Sequence, residues 1–252
     1  MSKNMKGLII GVANDQSIAS GCARILYADR AEIALTYLND KAKPYVEPIA
    51  KAVNAPILMP LDVCNPQQFD ALFAAIKEKW GKLDFLIHSV AFAPINDLHG
   101  RVTDCSLEGF AKALDISCHS FIRCCKAAEP LMVDGGSIMA MTYYGSEKVI
   151  PNYNMMGVVK AALEVAVRYI AAELGPKSIR VNAISPGPIM TRAASGITQF
   201  DEMIKQAAEK APIKEPLTIE HVGELAAFLV SEKSRLITGQ IIHIDGGYSI
   251  TG

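Results

Sequence analysis

Seven short apolar runs recur along the chain, separated by longer stretches in which apolar residues return every three or four positions. The runs lie at 7–12, 32–37, 57–60, 83–88, 136–141, 180–184 and 240–244. Each has the length of a strand, and their near-continuous hydrophobicity suits strands covered on both faces of a parallel sheet. The stretches between them, at about 18–29, 40–53, 66–80, 106–132, 152–174 and 218–230, carry a helical period. Strand–helix alternation predicts right-handed βαβ units and an α/β fold built on a doubly wound parallel sheet. One segment, 185–217, breaks the alternation. It opens with the turn-rich Ser185-Pro186-Gly187-Pro188 and then spaces Ile197, Phe200, Met203 and Ile204 as on a helix. It reads either as a surface excursion with one packed helix or as a mobile lid over a pocket.

The chain has 252 residues, within reach of a single large α/β domain. No repeat, low-complexity tract or linker divides it, so 1–252 reads as one domain. Its 50% hydrophobic and 20% charged residues argue against disorder. A net charge of -1, with no block of like charge, argues against a nucleic-acid partner. The apolar stretch at 8–13 falls far short of the ~20 residues of a spanning helix, and no secretory signal surrounds it. No membrane association is expected. The cysteines at 22, 64, 105, 118, 124 and 125 form no C-x-x-C pair and sit inside apolar patterns. They are expected to be buried, reduced thiols of a cytoplasmic protein. His221 and Glu224 share a helix face, but two groups fall short of a metal site, and no metal is expected.

Ligands on such a sheet bind beyond the carboxyl ends of the strands, near the point where strand order reverses. The first strand–helix turn runs Gly11-Val12-Ala13-Asn14-Asp15-Gln16-Ser17-Ile18. Gly11 allows a tight turn and close approach of a ligand. Ser17 reads as an N-cap, which would leave free amides facing a pyrophosphate; it reads equally as an ordinary cap. This is not the G-x-G-x-x-G fingerprint. Asp62-Val63 and Ser89-Val90-Ala91 follow the third and fourth runs, at neighbouring strand ends. The clearest local signal is Tyr153 followed seven residues later by Lys160. On one helix this spacing is ~20° off two full turns, so both side chains share a face ~10.5 Å apart along the axis. A phenol and an ammonium so placed can reach opposite parts of one dinucleotide, with the ammonium favouring phenolate character. The same residues also suit an amphipathic helix with a partly buried tyrosine and a snorkelling lysine. Tyr143 stands just past the fifth run, at the same edge.

These residues resemble the short-chain dehydrogenase/reductase superfamily. More narrowly, the chain resembles the bacterial NADH-dependent enoyl-acyl-carrier-protein reductases of type II fatty acid synthesis. The resemblance covers essentially the whole chain. It includes Ile87-His88-Ser89-Val90-Ala91-Phe92-Ala93-Pro94, Pro151-Asn152-Tyr153-Asn154, Val181-Asn182-Ala183-Ile184-Ser185 and Asp245-Gly246-Gly247-Tyr248-Ser249. Most superfamily members carry Tyr-x-x-x-Lys, but Met156 stands four before Lys160; enoyl reductases use the Tyr-x6-Lys found here, with a tyrosine ten residues earlier.

The resemblance implies a single-domain Rossmann-type fold, a homotetramer, NADH as cofactor and an enoyl thioester on acyl carrier protein as substrate. It assigns Tyr143, Tyr153 and Lys160 to catalysis. Gly11, Ser17, Ile18, Leu38, Asp62, Val63, Val90, Lys160 and the stretch Ile189, Met190, Thr191, Arg192, Ala193 would bind the cofactor. Phe92, Ala93, Leu98, Met156, Ala194, Ile197, Phe200 and Met203 would line an acyl pocket. The chain departs from the family in carrying Thr198, Asp201 and Glu202 where several relatives set basic residues for an acidic carrier. A ketone reductase and a catalytically idle cofactor sensor are the competing expectations. Turnover of a crotonyl thioester with NADH separates both.

Overall fold

The apolar runs become seven strands of one all-parallel sheet: β1 (Lys6–Ile10), β2 (Glu32–Tyr37), β3 (Ile57–Pro60), β4 (Phe85–His88), β5 (Gly136–Met141), β6 (Ile179–Pro186) and β7 (Ile241–Ile244). The computed structural model describes residues 4–191 and 200–251, with the side chains of Phe200 and Asp201 excepted. Strand order is β3-β2-β1-β4-β5-β6-β7, so the order reverses between β1 and β4. Successive side chains on each strand feed opposite cores. Leu8, Leu86, Ile138 and Val181 enter one apolar layer, and Ile9, Ile87, Met139 and Ile184 enter the other. Burial on both faces is why the runs are continuous rather than alternating.

The helices are α1 (Ile18–Ala28), α2 (Lys43–Ala52), α3 (Pro66–Trp80), the one-turn α4 (Ile95–Leu98), α5 (Leu107–Leu114), α6 (Ser120–Ala128), α7 (Met155–Leu174), α8 (Phe200–Lys210) and α9 (Ile219–Val230). Local chemistry sets several ends. Asn65 accepts from the Gln68 amide to cap α3, Pro66 occupies its first turn, and Gly81 closes it in the left-handed region. His221 serves a structural purpose too: with Thr218 it forms the capping box that starts α9.

Two expected helices differ. The stretch expected at 106–132 is broken: a π-turn at Asp115–His119 separates α5 from α6, and a 3-10 turn at Glu129–Leu131 ends it. Hydroxyls compete with the helical ladder there. Ser120 donates to the Ile116 carbonyl at 2.6 Å, while Ser117 turns away to the backbone of Phe92. The stretch expected at 152–174 starts only at Met155, so Tyr153 precedes α7. Asn152 and Asn154, at φ 64° and 44°, hold the chain in a turn there.

The cysteines are all free. Cys22, Cys118, Cys124 and Cys125 are buried and Cys105 is half-buried, but Cys64 is exposed, contrary to expectation, because it lies in the loop after β3 rather than within an element. Of the excursion at 185–217, β6 claims the start and α8 supplies the packed helix. Arg192, Ala193, Ala194 and Ile197 lie outside the described residues.

Candidate active site

A cleft of about 880 Å³ runs along the carboxyl ends of the strands, crossing the point where strand order reverses. At its floor the chain leaves β1 through Gly11, whose φ is 100°. A Cβ there would lie 2.1 Å from the Ser89 carbonyl oxygen. The two strand-end loops therefore touch only because residue 11 has no side chain. Gly11→Ala is expected to cost about 1–3 kcal/mol, as left-handed strain is compounded by the clash; urea unfolding of the variant checks it.

Most of the expected site residues meet in this cleft. Gly11, Ile18, Leu38, Asp62, Val63 and Val90 line one half. Tyr143, Tyr153, Lys160, Met156, Phe92, Ala93, Leu98, Ile189 and Thr191 line the rest. Two expected cofactor residues do not. Ser17 is buried in the β1–α1 turn and makes no side-chain cap; its hydroxyl donates to the Asn14 carbonyl at 2.7 Å instead. Met190 is not part of the lining and is 44% exposed. Met203 lies outside the lining as well, packing on the cluster that contains Tyr153 and Met156. Phe200 lies in α8, but its side chain is outside the described residues.

The chemistry concentrates where β5 ends. Tyr143 and Tyr153 meet edge to face, with ring centroids 4.9 Å apart. Gly145 makes room for this arrangement, since a Cβ on it would fall 2.4 Å from the Tyr153 ring. The Tyr143 hydroxyl is buried without a hydrogen-bond partner among the described residues, a polar atom that a ligand can satisfy. Lys160 is buried and donates from Nζ to the Met141 carbonyl at 2.7 Å. Burial lowers its pKa from 10.5 to about 8, against the pull of the Glu164 carboxylate and, more weakly, Cys118.

The expectation that Lys160 draws Tyr153 toward phenolate is not met. Burial holds the Tyr153 phenol well above the usual tyrosine range, and Tyr143 and Glu164 push it further the same way. Tyr153 is thus a neutral hydrogen-bond donor at neutral pH. Burial, then Tyr248, raises Tyr143 likewise.

Ser117, Ile116, Lys112 and Glu164 escaped the sequence reading, whereas Lys41 and Lys43 stand where it placed them, after the second strand. Ser117, fully buried, accepts from the Phe92 amide at 2.9 Å and lies 3.1 Å from its carbonyl oxygen, fixing the loop after β4. Ile116 reaches the cleft from the π-turn, and Lys112 reaches it from α5 with its ammonium 5.7 Å from the Phe92 ring centre. Lys41 lines the far end beside Leu38, whereas Lys43 sits over the Tyr37 ring. Glu164, a lone acid on the buried face of α7 four residues after Lys160, carried the one signal that could have been read in advance.

The dimensions suit a dinucleotide laid across the reversal point, adenosine toward Leu38 and Asp62, nicotinamide toward Tyr153 and Lys160. Among the described residues no group of acids, histidines or cysteines could hold a metal ion.

The chain is similar along its whole length to known proteins. A family profile described as Enoyl-(Acyl carrier protein) reductase matches residues 11–249. A Rickettsia felis protein named enoyl-acyl-carrier-protein reductase (NADH) FabI is 49% identical over 247 residues, spanning 98% of this chain and 95% of the relative. The Anaplasma phagocytophilum reductase, solved in complex with NAD, is 46% identical and superposes with a TM-score of 0.95, covering 99% of this chain and 95% of that one. The Bacillus cereus reductase, solved with NADP+ and indole naphthyridinone, is 40% identical with a TM-score of 0.96, covering 99% and 98%. Two tyrosines over one cleft, a lysine seven residues past the second, and likeness along the full chain lead to one conclusion: the chain belongs to the enoyl-(acyl carrier protein) reductase family.

Proposed function

We propose that this protein reduces the trans-2 double bond of enoyl-acyl-carrier-protein thioesters, using NADH, in the last step of the type II fatty acid elongation cycle. The observation that carries the reading is the Tyr143–Tyr153 pair, packed edge to face in a cleft that also holds buried Lys160. When bound, NADH supplies the hydride that reaches the substrate β-carbon. Tyr153, kept neutral by burial, donates to the thioester carbonyl oxygen as negative charge develops there. Lys160 holds the nicotinamide ribose, reached from the same buried position that ties it to Met141. Tyr143 packs against Tyr153 and turns its unpartnered hydroxyl to the substrate. Apolar Phe92, Ala93, Leu98 and Met156 suit an acyl chain, and Met203 supports them from α8.

The direct test is NADH oxidation with a crotonyl thioester of acyl carrier protein, against a β-ketoacyl thioester as control. Turnover of the ketone alone, or NADH binding without oxidation, would overturn the assignment.

NADH is expected to be preferred over NADPH by at least ~10-fold in kcat/KM, about 1.4 kcal/mol. Leu38 lines the ribose end without charge, and Lys43 is engaged over Tyr37, leaving Lys41 as the nearby lysine in the lining. Equal kcat/KM for the two cofactors would refute this.

A homotetramer suits the surface. Val158, Val165 and Tyr169 of α7 and Ile122 of α6 remain 39–71% exposed, an apolar face that association would cover. Light scattering is expected to give four times the chain mass, 27.2 kDa; a monomer at micromolar concentration would contradict it. Among the described residues no helix is long and apolar enough to cross a membrane. Free, mostly buried thiols suit a reducing cytoplasm.

A further inference from the structure

We propose that Glu164 is a positioning residue for the reaction assigned above, its buried carboxylate both fixing the loop that presents Tyr143 and sustaining the charge of Lys160. The inference rests on that functional reading. Glu164 is 4% exposed, one turn beyond Lys160 on α7. Its Oε1 accepts from the hydroxyls of Thr142 and Ser146, each at 2.6 Å. These two residues bracket Tyr143 in the loop that leaves β5, and Lys160 holds the Met141 carbonyl just before it. The Tyr143 hydroxyl has no partner among the described residues to orient it. Its direction is set by the anchored backbone on either side and by the Tyr153 ring. The loop is thus held at three places, the Met141 carbonyl and the Thr142 and Ser146 hydroxyls, by two side chains of one helix.

The electrostatics point the same way. The groups that act on Lys160, or that Lys160 acts on, are Glu164 on its own helix, Cys118 on the π-turn and His88 at the end of β4. Burial pushes the Cys118 thiol up, keeping it neutral. Burial, then the Lys160 charge, pushes His88 down to about 3, so it is neutral as well. Tyr153 and Tyr143 are neutral for the reasons given. Among the described residues, Glu164 is therefore the acid whose charge chiefly offsets the desolvation of Lys160. A buried carboxylate costs several kcal/mol to desolvate, and two hydroxyls alone could be met by a neutral acceptor. A charged group here is explained by the lysine one turn before it on α7, whose charge it favours.

The test uses the intact enzyme and two readouts. NADH affinity of the wild type, followed by cofactor fluorescence, should fall as pH rises through about 8, where Lys160 loses its proton. Glu164→Gln keeps an acceptor for both hydroxyls but removes the charge, so the fall should begin at least ~1 pH unit lower. Thr142→Val/Ser146→Ala keeps the charge but releases the loop, so kcat should drop at least ~10-fold with the pH break unmoved. An unmoved break in Glu164→Gln, or wild-type kcat in the double variant, overturns the proposal. Should Glu164→Gln fail to fold, Glu164→Asp decides: a retained break with lowered kcat supports it, and wild-type kcat refutes it. A wild type inert toward the enoyl thioester would instead defeat the functional reading, while the pH dependence of NADH binding would still report on Glu164.

Discussion

Tyr153→Phe should slow enoyl-thioester reduction by about 10²-fold while leaving NADH binding nearly unchanged, the signature of a lost oxyanion donor. The phenol is a committed donor because burial, Tyr143 and Glu164 all disfavour its ionisation. The hydrogen bond it gives strengthens as charge builds on the carbonyl oxygen, so its loss falls on kcat. The ring remains in the variant, and so does its edge-to-face packing on Tyr143. Single-turnover kinetics with NADH pre-bound separates the two effects. A variant that binds NADH much more weakly but retains wild-type kcat would reverse the assignment of Tyr153 and Lys160.

Lys160→Met should weaken NADH binding by ~10- to 100-fold, the range of a lost charge-assisted hydrogen bond, and lower kcat with it. The same change should not destabilise the free protein. An unfolded lysine keeps its proton to 10.5, whereas the buried Lys160 releases it near 8. Between those values the unfolded state binds more protons, so the lysine's contribution to stability rises with pH there. Below pH 8 its burden is full, about 3 kcal/mol from the shift of 10.5 to about 8, part of which returns when Glu164 and the Met141 carbonyl lose their partner. Urea unfolding at pH 7 should therefore find the methionine variant as stable as the wild type or more so, with any advantage shrinking toward pH 10.5. A variant much less stable at pH 7 would show that Lys160 is held for structure rather than for ligand.

The loop positions near the cleft illustrate how much was readable in advance. Asp62 and Val90 were placed at strand ends by pattern alone, and both line the cleft. Ser17 and Met190 occupy similar positions in the chain yet miss it. A hydroxyl in a tight turn has a nearer acceptor in its own loop, here Asn14, than in any ligand. Met190 lies between two lining residues, Ile189 and Thr191, yet is itself 44% exposed and outside the lining.

Strand positions, the all-parallel sheet and the carboxyl-edge site were legible in the sequence itself, because burial on both faces writes unbroken apolar runs and the helical stretches between them call for parallel crossovers. The spacing of Tyr153 and Lys160, with Met156 between them, carried the family resemblance, and that resemblance is what implied the type of chemistry. Only the tertiary structure decided how that chemistry is held. Left-handed Asn152 and Asn154 put Tyr153 in a turn before α7, although the residue pattern runs on as if helical, since local pattern does not encode a backbone reversal imposed by packing on Gly145. The π-turn that sends Ile116 to the cleft arises from hydroxyls bonding backbone groups, Ser117 reaching a loop 25 residues away. Glu164 meets Thr142 and Ser146 across 22 and 18 residues. Contacts of that separation leave no periodicity to read; they exist only once β5 and α7 are packed together, and it is that packing which turns one buried acid into the anchor of the site.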